Sequence, residues 1–323
     1  IKEARKNDSW PFNAKLGKYF PNEIKKIVYD ISNPGDKQIE SFLYDLNINY
    51  IRIPYYKSLG QGGAINEIYD NIILLTLNDG QNFIYDIVNK SFKKLNYDKL
   101  INNFVSIRDV EIANYDKKNY LLILGIKEIE NSCRILELQK ININYNSEQN
   151  LIKFGKTKKI WNSDIKCKNH PINTFGSRVI FLDDYYFITM GFVSSPDTHG
   201  INKYSQDLNS MFGKILKIDE DGKHTIYSSG HRNPQGLFYS ENKKVIFSTE
   251  HGPSGGDELN LIIENMNYGW PCKTHGILYD YKKNENISEP WPANIENCNN
   301  IEFQPPIFSW TPSIAISQGI EYI

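Results

Sequence analysis

The sequence predicts an all-β fold of the propeller type, and two observations carry that prediction. Short runs rich in Ile, Val, Tyr and Phe follow one another along the chain, each bounded by Asn, Asp, Gly or Lys. They recur in sets spaced by roughly 40–50 residues, which is how a multi-stranded blade looks in sequence. The runs are "YIRI" (50–53), "NIILLTL" (71–77), "NFIYDI" (82–87), "YLLILGI" (120–126), "RILELQ" (134–139), "RVIFL" (178–182), "YYFITM" (185–190), "GKILKI" (213–218), "KVIFST" (244–249) and "ELNLII" (258–263). The segments "NIILLTLNDGQNFIYDIVNKSFKKL" and "GKILKIDEDGKHTIYS" share a layout in which an apolar strand leads into a second that ends in a charged turn. Helical periodicity is missing from most of the chain. A β-sandwich is the competing architecture, but a single sandwich seldom needs so many strands.

Composition agrees and narrows the function. The chain has 323 residues, enough for a large core, with 21 Tyr, 16 Phe and 5 Trp, an aromatic richness that suits strands. Its 37 basic and 38 acidic residues leave a net charge of −1, so there is no basic excess with which to neutralise phosphates, and nucleic acid is a poor partner. No apolar run approaches the roughly 20 residues of a membrane span. The first residue is Ile1, so any signal peptide or anchor is not part of this chain.

Residues 1–45 read as an N-terminal extension or linker, polar and interrupted by Pro11, Pro21 and Pro34, with room for a short helix around Pro21–Tyr29. Residues 46–323 read as the propeller. The four cysteines, Cys133, Cys167, Cys272 and Cys298, form no CxxC pair, which argues against zinc. Cys133–Cys167 and Cys272–Cys298 are the favoured disulfides, since each pair flanks one excursion of the chain; four unpaired thiols are the alternative.

Two loops carry more polar chemistry than corners need. "GHRNPQGL" (230–237) places a His, an Arg, an Asn and a Gln where Gly, Pro and one Asn would make a turn. "STEHGPSGGDELN" (248–260) follows a strand directly, and its glycines and proline let backbone carbonyls turn toward an ion or ligand. It also carries Glu250, His251, Asp257 and Glu258. Asp257 and Glu258 are read as turn capping and solvated charge.

"GHRNPQGL … STEHGPSGGDELNLI … NYGWP", with "GQGG" (60–63), "QDLNSMFGKILKI" (206–218) and "PIFSWTPSIAIS" (306–317), resembles the signature of the soluble sugar dehydrogenases that depend on pyrroloquinoline quinone (PQQ). This is the aldose sugar dehydrogenase and glucose/sorbosone dehydrogenase family. The likeness is continuous from about residue 170 to the end. It implies a six-bladed β-propeller, of which this chain, ending at "GIEYI", would lack the closing blade and the further Lys and Arg cofactor ligands. It also implies hydride transfer from a sugar hydroxyl to the quinone, in a periplasmic or secreted oxidoreductase.

The resemblance assigns roles residue by residue. Arg232 and Asn233 would hydrogen-bond the quinone oxygens and stabilise charge on the reduced cofactor, with Arg232 thereby catalytic. Gln61 would touch the cofactor and Trp310 would lay an aromatic face beside it. Gly252 and Pro253 would offer carbonyls to a Ca²⁺ that binds and polarises PQQ. The family's base, a His in an HFGGR-like stretch, is matched here by "TFGSRV" (174–179), so Thr174 stands in its place. A threonine hydroxyl is no base near neutral pH. His170 is the possible substitute; His199 and His251 are read as loop or structural histidines. Ile307 stands where the family often has an aromatic residue. The second function to weigh is therefore a catalytically impaired propeller that binds a ligand or a protein.

Overall fold

The computed structural model describes residues 36–40, 45–49, 63–95, 104–115, 118–129, 133–146, 151–163, 176–191, 204–253, 255–276, 298 and 302–321. The chain divides into two compact units, Ile1–Leu59 and Gly60–Ile323. In the first, β1 (Asp36–Glu40) and β2 (Asp45–Asn49) pair as an antiparallel hairpin. The helix expected around Pro21–Tyr29 lies outside the described residues.

Among its described residues the second unit holds four antiparallel four-stranded sheets in chain order. The first is β3 (Gly63–Tyr69), β4 (Ile72–Leu77), β5 (Asn82–Asp86) and β6 (Ser91–Leu95). The second is β7 (Ser106–Tyr115), β8 (Lys118–Ile129), β9 (Cys133–Asn146) and β10 (Leu151–Asn162). The third is β11 (Val179–Leu182), β12 (Tyr185–Met190), β13 (Lys214–Ile218) and β14 (His224–Ser229). The fourth is β15 (Pro234–Ser240), β16 (Val245–Glu250), β17 (Asp257–Ile262) and β18 (Phe308–Trp310). The first strands of successive sheets lie against one another, β3 on β7, β7 on β11 and β11 on β15, as the inner strands of propeller blades do.

The blade number corrects the expectation of a six-bladed propeller: among the described residues four blades are formed. The blades differ in the length of chain they use, the first running from Gly63 to Leu95 and the second from Ser106 to Asn162. The strands of the second blade run 10 to 14 residues, about twice the length of most others. In the fourth, β18 begins 46 residues after β17 ends, if the last residue of one and the first of the other are compared (262 and 308).

The packing explains why the middle strands are apolar on both faces. On β8, Leu121 and Ile123 point into a core shared with the first blade, which includes Leu74, Ile84 and Val110. Their neighbours Leu122 and Leu124 point the other way, into a core with Tyr186, Ile188 and Leu216 of the third blade. Phe187 and Ile215 face a third core with Leu237, Ile246 and Ile262. Alternate side chains of one strand thus serve two interfaces, so strict polar–apolar alternation is lost. The outer strand β10 is different. Lys153, Lys156, Lys158 and Lys159 are exposed along it, and two bulges break its register, both of which discourage edge-to-edge pairing.

Leu216 is fully buried between blades, whereas Ile65 on β3 is 72% exposed. Leu216→Ala should cost ~2–5 kcal/mol through lost transfer energy and a residual cavity. Ile65→Ala should stay within about 0.5 kcal/mol. Urea unfolding of both variants beside the parent checks this.

Candidate active site

The corner at 230–237 is half turn and half strand. Gly230 has φ +74°, a left-handed conformation that a side chain resists, and β15 begins at Pro234. Between them, His231, Arg232 and Asn233 are all buried. What holds them is Glu250, the last residue of β16 and the register partner of Pro234. One carboxyl oxygen, Oε1, accepts from the backbone N–H of Arg232 and, at 3.2 Å, from that of Asn233. The other lies 3.0 Å from His231 Nδ1. His231 Nε2 is 2.9 Å from Ser228 Oγ, and the ring stacks on Tyr268 with centroids 4.6 Å apart. A carboxyl 4% exposed is tolerable only with such donors, and here the turn supplies all of them.

With its backbone fixed, Arg232 sends its guanidinium across to the second loop. Nη1 donates to the carbonyls of His251 at 2.9 Å and Gly252 at 2.8 Å. The ring of Trp270 lies 5.2 Å from the guanidinium carbon, within cation–π range. Asn233 joins a third segment. Its Oδ1 accepts from Gly176 N–H at 3.0 Å and from Gln235 Nε2 at 2.9 Å, while its carbonyl accepts from His251 N–H at 3.1 Å. A Cβ at Gly176 would run into the Pro234 carbonyl and the Asn233 side chain, so only glycine fits this approach.

Arg178, two residues on, ties three blades together. It donates from Nη1 to Asp109 Oδ1 on β7 at 3.0 Å and from Nε to the Gln235 carbonyl on β15 at 2.7 Å. Burial pushes the Asp109 carboxyl up, against the opposing pull of Arg178. Glu111 on the same strand is pushed up to about 8, by burial first and the neighbouring Asp109 second.

The expected site residues are thus partly brought together. Arg232 meets Gly252 directly and Asn233 meets the preceding His251, with Pro253 next in the chain and buried. Trp310 is half-buried on β18, where its ring packs edge-on against Phe308 and its carbonyl accepts from Gly256 N–H. The aromatic ring beside Arg232 is Trp270, which the sequence offered only as the W of "NYGWP". Gln61, Thr174, His170 and His199 lie outside the described residues. Cys272 and Cys298 form a disulfide as favoured; Cys167 lies outside the described residues.

Asp257 departs from its reading as solvated charge, for it is fully buried. It caps two loops at once. Oδ1 accepts from Gly252 N–H at 3.1 Å, and Oδ2 from Ser313 Oγ at 2.6 Å, Ile314 N–H at 3.0 Å and Ala315 N–H at 2.7 Å. Glu258 is not simply solvated either. It stands directly across from Glu250 on β16, and burial, reinforced by the Glu250 and Asp257 charges, pushes its carboxyl up to about 8.

The carbonyls of His251 and Gly252 converge on one cationic atom, so the loop presents oxygens as a hard divalent cation requires. A carbonyl has two lone pairs, so Gly252 can serve Arg232 and a cation together. Among the described residues, no group of three or more His, Cys, Asp or Glu side chains could hold a metal, so the donors here are backbone ones.

The glucose/sorbosone dehydrogenase family model matches residues 105–323, more than half of the chain. The chain belongs to the glucose/sorbosone dehydrogenase family. It is 32% identical over 160 residues to aldose sugar dehydrogenase YliI of Escherichia coli K12, a match that covers 45% of this chain and 39% of that protein. It is 36% identical over 99 residues to quinoprotein glucose dehydrogenase B of Acinetobacter calcoaceticus, covering 27% and 20% respectively. These matches span less than half of either relative. The crystal structure of the soluble aldose sugar dehydrogenase of Escherichia coli in its apo-form superposes with a TM-score of 0.60 at 22% identity, over 80% of this chain and 75% of that one. At that identity the likeness speaks for the fold. Among the described residues of this family member, no helix is long and apolar enough to cross a membrane.

The raised value of Glu258 gives a pH prediction. Its proton is held more tightly in the folded chain than in the unfolded one, so its contribution to stability is full in acid and lost as pH rises toward and through about 8. Glu258→Gln, which cannot ionise, should flatten this loss and be the more stable form above pH 8. Thermal midpoints of the two proteins from pH 5 to 9 measure it.

Proposed function

We propose that this chain carries the cofactor-binding core of a PQQ-dependent aldose dehydrogenase, oxidising a sugar hydroxyl to a lactone or carbonyl product. One observation carries the reading. Arg232 is 7% exposed, and among the described residues its guanidinium makes no ion pair, only hydrogen bonds to two neutral carbonyls. A buried cation left without an anion is costly, and an anionic ligand relieves that cost. PQQ, a tricarboxylate o-quinone, is such a ligand, and the names of the relatives support it over other anions.

In this reading Arg232 and Asn233 bind the quinone oxygens, Trp270 flanks the guanidinium, and the carbonyls of Gly252 and Pro253 hold Ca²⁺. The bound quinone supplies the hydride acceptor. The protein orients it, fixes donors where negative charge grows, and keeps water out. Gln61 and Trp310 are further cofactor contacts in the same reading. The Cys272–Cys298 disulfide favours an oxidising compartment, the periplasm or the exterior. Thr174, at the position of the family base, favours a second reading, a propeller that binds its ligand without turnover.

Titration of the protein with PQQ, followed by quinone absorbance with Ca²⁺ and with chelator, tests the proposal. Binding should need Ca²⁺. Arg232→Ala should weaken it by ~1.5–3 kcal/mol, the scale of a hydrogen bond to a charged group. Equal affinity in the variant and in chelator would remove the clamp. Tight binding with no reduction by any aldose would favour the second reading.

A further inference from the structure

Trp270 lies in no strand, so its place beside Arg232 has to be set by bonds to other segments. Its backbone is held at both ends. Its N–H donates to the Gly230 carbonyl at 2.8 Å, and its carbonyl accepts from Gln206 Nε2 at 2.6 Å. Gln206 also forms a reciprocal amide pair with Asn267. Asn267 Nδ2 donates to Gln206 Oε1 at 2.7 Å, and Gln206 Nε2 donates to Asn267 Oδ1 at 3.2 Å. Asn267 Oδ1 in turn accepts from Gly269 N–H at 2.9 Å. The same segment grips the Arg232 turn. The Ser205 carbonyl accepts from Gly230 N–H at 3.0 Å, and Ser205 Oγ donates to the His231 carbonyl at 2.8 Å. Ser205 and Gln206 therefore join the turn that carries Arg232 to the turn that carries Trp270. Behind them the buried Lys214 ammonium donates to the carbonyls of Tyr204, Ser205 and Phe212, which fixes the path of segment 204–212.

We propose that Gln206 is a positioning residue for the cofactor clamp: by holding the Trp270 backbone it keeps the indole ring beside Arg232 and the guanidinium ready for its anionic ligand. The inference rests on the proposed function. Among the described residues Gln206 bonds to Asn267 and Trp270 and not to Arg232, so its effect passes through the ring. The place calls for a carboxamide. The Trp270 carbonyl needs a donor, and the Asn267 side chain needs both a donor and an acceptor. A carboxylate at 206 would set bare oxygen against the Trp270 carbonyl, and an apolar side chain would serve neither partner. The carbonyls of His251 and Gly252 hold only Nη1 of the guanidinium, and the ring confines the rest. A guanidinium confined in advance loses less freedom when an anion binds, which is affinity gained by preorganisation.

The test reads ring placement and ligand binding separately. Isotope-labelled tryptophan gives an indole resonance for Trp270, assigned by its absence from Trp270→Phe. The indole of Trp161, which donates to His224 Nδ1, serves as the reference for an intact fold. In Gln206→Met, close in size but without an amide, the Trp270 signal should move and the Trp161 signal stay. PQQ affinity with Ca²⁺ present should fall about three- to tenfold, the worth of a cation–π contact. In an Arg232→Ala background the same change should cost less than about twofold, because the group it positions is gone. Gln206→Glu should show the same loss near neutral pH. It should recover toward the parent, compared at equal pH, as the carboxyl takes up a proton near about pH 4 and regains a donor. If Gln206→Met also loses the Trp161 signal, Gln206→Glu and its acid recovery decide. A Trp270 signal that stays in place in both variants, unchanged PQQ affinity, or an equal loss with and without Arg232 would overturn the inference while the cofactor reading stands. Failure of the parent to bind PQQ would overturn both.

Discussion

The site depends on one buried carboxyl group. Glu250 closes β16 and is paired in register with Pro234, the first residue of β15, so its place is set by the sheet. Because it is almost fully buried it must collect donors, and the three it collects belong to three successive residues, His231, Arg232 and Asn233. That demand dictates the path of the turn. Gly230 can adopt the left-handed conformation the path needs, and the His231 ring is clamped between Ser228 and Glu250 while stacking on Tyr268. The direction in which Arg232 leaves the turn follows from these constraints rather than from any contact of its own head group.

The same logic acts between blades. The apolar cores press the sheets together without specifying angle, since the hydrophobic effect is non-directional. Direction comes from polar bolts near the inner strands. Arg178 reaches Asp109 on one side and the Gln235 carbonyl on the other, and Asp109 also receives the Val179 amide. Lys214 does comparable work within the third blade. Fully buried, it spends its ammonium group on the carbonyls of Tyr204, Ser205 and Phe212, and burial pulls its affinity for a proton down to about 7. Charged residues in the interior thus define geometry that Leu and Ile cannot.

This division explains what the sequence disclosed. The two middle strands of each blade were legible because both of their faces are buried, so "NIILLTL", "YLLILGI" and "YYFITM" are nearly unbroken apolar runs. Inner strands such as β7 and β15 were not singled out, because polar residues interrupt them, among them Asp109 and Gln235, which serve the bolts and the site. Outer strands such as β10 were hidden by their exposed lysines. The family signature marked Arg232, Asn233 and Gly252, of which Arg232 meets Gly252 directly. It gave no hint that Asp257 is buried, because its donors, Ser313 to Ala315, lie more than fifty residues away. The place of Trp270 beside Arg232 was not legible either, since which ring lies over a guanidinium is a matter of tertiary packing. The blade number of six was implied by the resemblance, and the long strands of the second blade, 10 to 14 residues each, were not readable from runs of four to seven residues.

The charge arrangement around Arg232 is the last constraint. Three carboxyl groups lie in or beside its loop, yet none forms an ion pair with it among the described residues. Glu250 is consumed by the turn and Asp257 by the amides of Gly252 and the 313–315 segment. Glu258 holds its proton to about pH 8 and carries little charge below that. The guanidinium is left with carbonyl dipoles and a π face, which solvate a cation without cancelling it. A protein selected for stability alone would bring one of those carboxylates over to Arg232. Keeping them apart leaves the charge of a buried guanidinium uncancelled, and away from water a unit charge acts more strongly than in it. In the proposed reading that cost in the free chain is what a charged ligand relieves, as expected where local stability and function compete.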